Sequence, residues 1–523
     1  SGILGIALTS RNKSKENPVP LCGVPFHSVE PYISKLLESG KKVAICEQVE
    51  DPKQAKGIVK RKVVKILTPG VILDSENLES KSNNYLASIF SKNDFFGLAY
   101  TDISTGEFKT SLFNSNSELL SEISNIEPKE ILVNGLSNKI ELFSFNPLIT
   151  EIDSWKWDHE RSKDLLLDTL GVKTLEAFDI EDKYECVVSC GVLLEYLKET
   201  QMEFMPIMDS PRYYSTIDYL KIDESTKRNL ELLKSNNTDS EIHSLLWVLD
   251  QTNSAMGARL IRNWINYPLI DLEQINNRQL GIEELISNST NLSNLRESLK
   301  NISDIERLIS RISTASAKPR DLAALRDSSS YITDLKNDLG EFSSKILSTL
   351  KDTLDDYADI KDYLDNCIVS EPPATVRDGG VIKDGYNGEL DELRSIQRDG
   401  KKWISDLEAS EKQKTGISSL KVGFNKVFGY YIEVTKANIS LVPETYIRKQ
   451  TLSNGERFIT PELKEYEDKI INAQEKILKI EADLFEDIRE RISAESNRIR
   501  KTASIIAEID VLCSLAVVAD DYD

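Results

Sequence analysis

The chain has 523 residues, a net charge of −21 and 40% apolar residues, which excludes a disordered polyelectrolyte and asks for three or four domains rather than one core. No apolar run approaches the roughly 20 residues of a membrane span, and the opening Ser1-Gly2-Ile3-Leu4-Gly5-Ile6-Ala7-Leu8 lacks the basic start of a signal peptide. Six scattered cysteines, of which only Cys186 and Cys190 lie close, offer no zinc-ligand spacing and read as reduced thiols of a cytosolic protein.

In residues 1–73, Val43-Ala44-Ile45-Cys46 and Val63-Val64-Lys65-Ile66-Leu67 read as buried strands, residues 31–37 as a helix after Ser28, and Thr68-Pro69-Gly70 as a closing turn. Residues 74–83 are polar and read as a linker. Two β-rich runs, residues 95–103 and 107–113, flank Ser104-Thr105-Gly106 and predict a hairpin. Helical and strand-like pieces then alternate to about residue 205, which predicts a compact α/β domain. From Asp223 to residue 413 the pattern is almost wholly helical, broken at Pro268, at Pro372-Pro373 and by a short strand or turn over residues 376–382. Leu390, Leu393, Gln397, Gly400, Ile404 and Leu407, at 3,4 spacing, predict a long helix that stops at Thr415-Gly416.

The period then changes. Leu420-Lys421-Val422-Gly423-Phe424 and Gly429-Tyr430-Tyr431-Ile432-Glu433-Val434 predict strands around a turn at residues 425–428. Residues 447–452 and 457–459 predict a second pair around Ser453-Asn454-Gly455. Pro461 opens a very long helix. Its Leu463, Tyr466, Ile470, Ala473, Ile477, Ile480 and Leu484 step as a coiled-coil seam, and 40 such residues reach roughly 60 Å. A β-rich module between an outgoing and a returning helix is thus predicted to ride on the end of a long arm.

Charge follows this organisation. Residues 1–73 hold 12 Lys and Arg against 6 Asp and Glu, residues 412–461 hold 8 against 3, and the remainder carries −32. Two basic islands on an acidic body match a protein that touches nucleic-acid phosphates at two places and keeps the rest of itself away; ordinary fluctuation of surface charge is the alternative.

Longer motifs sharpen this. Pro18-Val19-Pro20-Leu21-Cys22-Gly23-Val24-Pro25-Phe26-His27, followed by Lys42-Val43-Ala44-Ile45-Cys46-Glu47-Gln48-Val49-Glu50-Asp51-Pro52, resembles the mismatch-recognition domain of the bacterial MutS family. Leu249-Asp250-Gln251-Thr252-Asn253-Ser254-Ala255-Met256-Gly257-Ala258-Arg259-Leu260-Ile261-Arg262-Asn263-Trp264 resembles the start of that family's helical core. Residues 416–424, Gly429-Tyr430-Tyr431-Ile432 and Thr460-Pro461-Glu462-Leu463-Lys464-Glu465-Tyr466-Glu467 resemble its clamp and returning lever. The likeness runs in order from end to end.

The resemblance implies a multidomain α+β chain: a mixed α/β mismatch-recognition domain (1–78, partial), a ribonuclease H-like connector (79–210), an all-α core with the outgoing lever (211–411), a β-rich clamp at the lever tip (412–463), and the returning lever with the end of the core (464–523). It implies mismatch recognition in DNA mismatch repair by a cytoplasmic (nucleoid) homodimer. Such a dimer encircles duplex DNA, becomes a sliding clamp with ATP and Mg, and recruits MutL through the connector. Two departures qualify it. The family's Phe-any-Glu wedge is not in this sequence, since none of the 15 phenylalanines is followed by Glu two places on. The phosphate-cradling Gly-Lys-Ser or Gly-Lys-Thr is also missing, as both Gly-Lys pairs, Gly40-Lys41 and Gly400-Lys401, are followed by Lys. The expectation is therefore a fragment without the ATPase domain: no enzyme, no cofactor, no metal and no membrane within these residues.

Arg11, in the polar stretch Thr9-Ser10-Arg11-Asn12-Lys13, and Arg61, within Lys60-Arg61-Lys62, are placed by the resemblance at the DNA backbone, and clustered cations concentrate field for a phosphate. In the clamp Lys426, Arg448, Lys449 and Arg457 fall at turns or strand edges, and Asn454 in an exposed turn. Contacts of this kind position a protein without reading sequence, and edge-strand cations that prevent aggregation are the plainer alternative. Asp102, with Glu107, Glu185 and Glu195, raises a metal-dependent nuclease as a competing function, although no spacing marks the four as a set. The seam alone raises a third reading, a structural coiled-coil scaffold, which gives no reason for a basic β-rich tip. His27, His159 and His243 stand apart from any nucleophile motif.

Overall fold

The computed structural model describes residues 1–11, 19–25, 28–50, 59–72, 78–135, 145–201, 208–425, 429–452 and 454–522; the side chains of residues 11, 396, 399–405, 425 and 465–472 lie outside the description. The chain divides into two compact units, one of Ser1–Ala317, Ala324–Lys361 and Ile492–Asp523, the other of Lys318–Ala323 and Asp362–Arg491.

The first unit opens with a two-stranded antiparallel ribbon, β1 (Thr9–Arg11) and β2 (Val19–Leu21). Helix α1 (Glu30–Glu38) and the antiparallel pair β3 (Val43–Gln48) and β4 (Arg61–Leu67) follow, as the apolar runs predict. The prediction that both strands are buried is corrected. One nine-residue helix covers only one face of a two-stranded sheet, so Ile33, Leu37, Leu67 and Ile72 form a small core while most of β3 is exposed.

A six-stranded sheet comes next: β5 (Leu86–Lys92), β6 (Phe95–Asp102), β7 (Glu107–Phe113), β8 (Glu130–Val133), β9 (Leu148–Glu151) and β10 (Arg212–Tyr213), in the order β10-β7-β6-β5-β8-β9. Strands β5 to β7 form an antiparallel meander, whereas β8 runs parallel to β5, β9 to β8 and β10 to β7. The expected hairpin is β6–β7; strand β5 is an addition to that reading. Period-two alternation fills both faces. Leu86, Ala99, Phe108 and Leu132 pack under α3 (His159–Leu170) and α4 (Tyr184–Gln201), while Ala87, Ile89, Leu98 and Ile131 pack under α2 (Asn116–Ile126). Helix α4 lies so close to β6 that a Cβ at Gly97 would stand 2.2 Å from the Glu185 carbonyl oxygen. Cys186 and Cys190 are buried in α4, and burial pushes the Cys186 thiol up to about 12.

A buried carboxylate joins this sheet to the residues before it. Glu130, fully buried on β8, accepts hydrogen bonds from the Thr68 hydroxyl, the Gly70 N–H (3.3 Å), the Thr150 hydroxyl (2.6 Å) and the Tyr196 hydroxyl (2.7 Å), with Lys42 Nζ at 3.5 Å. The described part of the expected polar linker is no loose tether. Arg307 donates to the carbonyls of Glu79 and Ser82, and Arg259 to that of Ser80, while both arginines pair with Asp304.

The helical part of the unit contains α5 (Glu224–Asn229), α6 (Leu245–Leu249), α7 (Ala255–Asn266), α8 (Leu272–Ser287), α9 (Ser289–Asn301), α10 (Ile305–Ser313), most of α11 (Pro319–Asp338), α12 (Lys345–Thr353), the start of α13 (Ala358–Cys367), and α16 (Ser496–Tyr522). Helix α16 packs along α7, α8, α9 and α10. Its buried Asp510 accepts from the N–H of Asn253 (2.9 Å), the N–H of Ser254 (2.7 Å) and the Ser254 hydroxyl (2.6 Å); that same oxygen caps α7 by accepting from Gly257 N–H. Gly257 is glycine because a Cβ there would meet Asp510 at 2.3 Å. By length and composition α16 could cross a membrane, which corrects the expectation that no run is so apolar; 72% of its apolar window is buried in this unit, as in a core helix. Between α2 and α7, Lys227 donates to Asn125 and Asn266 (2.6 Å), and burial lowers its pKa to about 8 against the pull of Glu122 and Glu127.

The second unit carries two long helices, α14 (Gly388–Thr415) and α15 (Pro461–Ser493, up to Arg491 in this unit), with a four-stranded antiparallel sheet between them. Gly416, at φ 71°, ends α14 in the left-handed conformation that only glycine adopts freely, where the sequence predicts the stop. The sheet is β11 (Lys421–Asn425), β12 (Gly429–Thr435), β13 (Ile447–Thr451) and β14 (Gly455–Ile459), ordered β11-β12-β14-β13. Leu407 of α14 and Leu463 of α15 share one core with Ile432, Val434 and Phe458, while Arg394 pairs with Glu481 further along, so the two helices run antiparallel.

The predicted seam holds only in part. Leu463, Ala473 and Ile477 are buried, and Tyr466 and Ile470 lie outside the described side chains. Beyond Ile477 the buried positions include Glu481, Phe485, Ile488 and Ile492, whereas Ile480 and Leu484 are half-buried. The stripe thus leaves the strict heptad and takes the i, i+4 steps of a globular helix face. Glu481 accepts from Gly380 N–H (2.7 Å) and from Arg394, which also donates to Asp384 (2.6 Å) and to the Ile382 carbonyl (2.8 Å).

Candidate nucleic-acid interface

Two surfaces hold the basic residues singled out by sequence. On the first, Arg61 and Lys62 stand opposite Gln48 and Glu47 at the end of the β3–β4 ribbon, and all three of Lys60, Arg61 and Lys62 are exposed. The other end of β4 is anchored by Leu67 in the α1 core, so the ribbon presents its charged end outward. Chain pairing continues past the strands, with Val49 N–H donating to the Lys60 carbonyl and Lys60 N–H to Glu50 (2.7 Å). Arg11 is placed only by its backbone, paired with Val19; its side chain lies outside the described residues.

On the second surface the four-stranded sheet has two unlike faces. Ile432, Val434 and Phe458 turn inward onto Leu407, Ile417 and Leu463. Strand alternation then places Tyr431, Glu433 and Arg457 on the outer face. The sheet is fixed to the end of α14 by two carboxylates: Glu408 accepts from Val422 N–H (2.9 Å) and Glu411 from the Tyr446 hydroxyl (2.5 Å). Hydrogen bonds from Tyr446 and Lys414 hold the Glu411 carboxyl below its ordinary range although burial raises it.

The structure does not gather the predicted residues of this sheet on one face. Arg448 lies opposite Phe458 and pairs with Glu456 at 3.3 Å, on the inward-facing register but at the exposed edge strand. Lys449 is the extra residue of a β-bulge, since the pairing jumps from Arg448 to Gln450, and it is exposed. Asn454 is exposed in the β13–β14 turn, where its carbonyl accepts from Lys436 N–H. Arg457 is bound into the sheet: Nε donates to Glu433 (3.0 Å), Nη1 to Gln450 (3.1 Å), and the guanidinium stacks 4.0 Å from the Tyr431 ring. The expectation that Arg457 falls at a turn or strand edge is corrected, since β14 lies between β12 and β13. Sequence reasoning missed Tyr431, Glu433 and Gln450 as its partners; the signal was the cross-strand register, which the hairpin turns alone do not fix. Lys426 lies outside the described residues.

Asp102 and Glu107 are cross-strand neighbours, but among the described residues no three carboxylates gather as a metal site. Asp102 ends β6. It accepts four hydrogen bonds, from Asn83 (3.0 Å), Asn84 N–H (3.0 Å), Ser104 N–H (2.9 Å) and the Ser104 hydroxyl (2.7 Å). Glu107 pairs with Lys109 and accepts from Tyr85 (2.7 Å); although burial raises it, those partners draw its carboxyl below the ordinary value. Glu195 is held by Arg161 (2.6 Å), and the Glu185 backbone carbonyl accepts from the Ser189 hydroxyl. Asp102 is a loop anchor. Neither Gly-Lys pair suits a nucleotide phosphate: Gly40 and Lys41 follow α1 where a phosphate loop would precede a helix, and Gly400 and Lys401 lie inside α14.

The mixed helix and strand content of the two units defines a multidomain α+β protein. Residues 1–76 match the family model for MutS domain I, residues 84–209 that for MutS domain II, and residues 225–516 that for MutS domain III. The chain belongs to the MutS family. It is 45% identical over 529 residues to the DNA mismatch repair protein MutS of Halothermothrix orenii, covering 99% of this chain and 59% of that protein. Its identity to the proteins of the same name is 46% over 526 residues in Ruminiclostridium cellulolyticum and 43% over 534 residues in Alkaliphilus oremlandii, in each case 99% of this chain and 60% of the relative. The chain thus spans about three fifths of the length of these relatives.

Proposed function

We propose that these residues are the DNA-holding part of a mismatch-repair sensor, which binds and encircles duplex DNA containing mispairs or small loops. What carries the reading is the placement of exposed cations on two β-rich modules of an acidic chain whose relatives bear a mismatch-repair name. In this reading residues 1–78 belong to the mismatch-recognition domain, 79–210 to a ribonuclease H-like connector, 211–411 to the core and outgoing lever, 412–463 to the clamp, and 464–523 to the returning lever and end of the core. The mixed six-stranded sheet and the antiparallel α14 and α15 support those assignments. The DNA contacts proposed are Arg11, Lys60, Arg61, Lys62, Lys426, Arg448, Lys449, Asn454 and Arg457. Homodimerisation, MutL docking on the connector and a nucleoid location follow from the same family reading. ATP and Mg belong, in the same family reading, to the full-length protein. The nuclease and scaffold alternatives are not favoured.

Duplex binding measured by anisotropy between 50 and 200 mM salt tests the proposal. Six or more phosphate contacts weaken binding about a thousandfold over that range. Because the Phe-any-Glu wedge is not in this sequence, matched and mismatched duplexes should bind alike. A salt-independent isotherm overturns the phosphate-contact reading, and cleavage lost on Asp102→Asn would restore the nuclease.

A further inference from the structure

The outer face of the four-stranded sheet contains a row that crosses all four strands. Lys421 on β11 stands opposite Glu433 on β12, Glu433 opposite Arg457 on β14, and Arg457 opposite Gln450 on β13. Directly opposite residues share a face, and Ile432 and Phe458, one place along from Glu433 and Arg457, point the other way into the core. The row therefore lies away from the helices.

Within it the Arg457 guanidinium is restrained on three sides. Glu433 takes Nε at 3.0 Å, the Gln450 side-chain oxygen takes Nη1 at 3.1 Å, and the Tyr431 ring lies 4.0 Å beneath. The ring is itself seated: Gly423, opposite Tyr431, leaves the space it fills, since a Cβ there would stand 2.8 Å from the Tyr431 hydroxyl. A guanidinium has five N–H donors. Two are used by these side chains, and among the described residues Nη2 has no partner. A planar guanidinium held at Nε and Nη1, with its Nη2 donors unpaired among the described residues, on a module of excess positive charge, is suited to a phosphate oxygen.

Glu433 is the odd member. An acidic side chain, 41% exposed, on a face that meets DNA repels the phosphates. Its place is explained if orienting Arg457 outweighs that repulsion. We propose that Glu433 is a positioning residue, holding Arg457 across the strands and over Tyr431 so that its Nη2 donors meet a backbone phosphate of duplex DNA on this face. The inference rests on the duplex-binding reading above.

The two roles open to Glu433 predict opposite signs. If it only repels DNA, Glu433→Ala tightens binding. If it positions Arg457, Glu433→Ala weakens binding by about tenfold, as expected for one charge-assisted hydrogen bond to a charged group, and lowers the salt slope by about one unit. Glu433→Gln keeps an acceptor and should bind at least as well as the parent. Arg457→Ala should lose as much as Glu433→Ala, and the double variant no more than either. On duplex addition the Arg457 Nε–H resonance should shift in the parent and in Glu433→Gln but not in Glu433→Ala. Tighter binding by Glu433→Ala, or additive losses in the double variant, overturns the positioning role. If the parent binds with a steep salt slope yet Arg457→Ala leaves affinity unchanged, this inference falls while the duplex reading stands. If the parent itself shows no salt-dependent binding, both fall.

Discussion

Glu130 and Glu433 are both carboxylates on β-strands, and their surroundings are opposite. Glu130 sits on an interior strand, between β5 and β9, of a sheet covered by α2 on one face and by α3 and α4 on the other, with no exposure and four hydrogen-bond donors plus Lys42 around it. Glu433 lies on the uncovered face of a sheet packed on one side only, and takes a single arginine. The difference is the number of faces a sheet buries. Where both are buried, a polar group survives only if every lone pair is satisfied, and it becomes a fastening. Where one is open, the same residue type retains water and its neighbours stay available to a partner.

Breaking the buried fastening should have the largest effect. Glu130→Ala leaves Lys42, Thr68, Thr150 and Tyr196 without their shared acceptor, and should lower stability in urea by about 3 kcal/mol. Glu433→Ala, removing a partly exposed pair, should change it by less than about 1 kcal/mol. Equal losses would erase the contrast.

A buried lysine sharpens it next. Lys227 is buried with its pKa lowered to about 8, so between about pH 8 and its unfolded value near 10.4 the unfolded chain holds more protons. Stability from this group therefore rises with pH across that window, by at most about 1.4 kcal/mol per unit, and is flat below it. Chemical unfolding of Lys227→Met beside the parent isolates the slope: the difference between the two should change with pH only above about 8.

The smallest stability effect belongs to the tip. Arg448→Ala with Lys449→Ala should shift unfolding by under about 0.5 kcal/mol and flatten the duplex salt slope by about one unit per lost contact. A stability loss with an unchanged slope would assign these side chains to the sheet and not to a ligand.

Much of the fold was legible where a local rule acts alone. Gly416 and Pro461 mark helix ends through backbone geometry, and strands β13 and β14 flank Asn454 where the sequence places them. The sequence was silent where the determinant is non-local. The partners of Glu130 come from residues 42, 68, 70, 150 and 196, which no window joins. The apolar runs of β3 and β4 resemble buried strands because a run does not say how many faces are covered. For the candidate interface, exposure of Lys60, Arg61, Lys62, Arg448, Lys449 and Asn454 agrees with their polar surroundings. The restraint on Arg457 depends on a register shifted by the bulge at Lys449, one residue invisible in the alternation.

The change of stripe at Glu481 has a mechanical consequence for the second unit. A tensile load applied to the four-stranded sheet passes down α14 and α15 together, and apolar contacts resist shear along a helix weakly because they lack direction. Arg394 and Glu481 are directional, and through Gly380 and the Ile382 carbonyl they also bind the segment before α14. They form a rivet where the seam changes its step. Under force the pair of helices should open from the sheet toward that rivet and pause there, so that a pulling trace on the second unit shows two events and Glu481→Gln merges them into one.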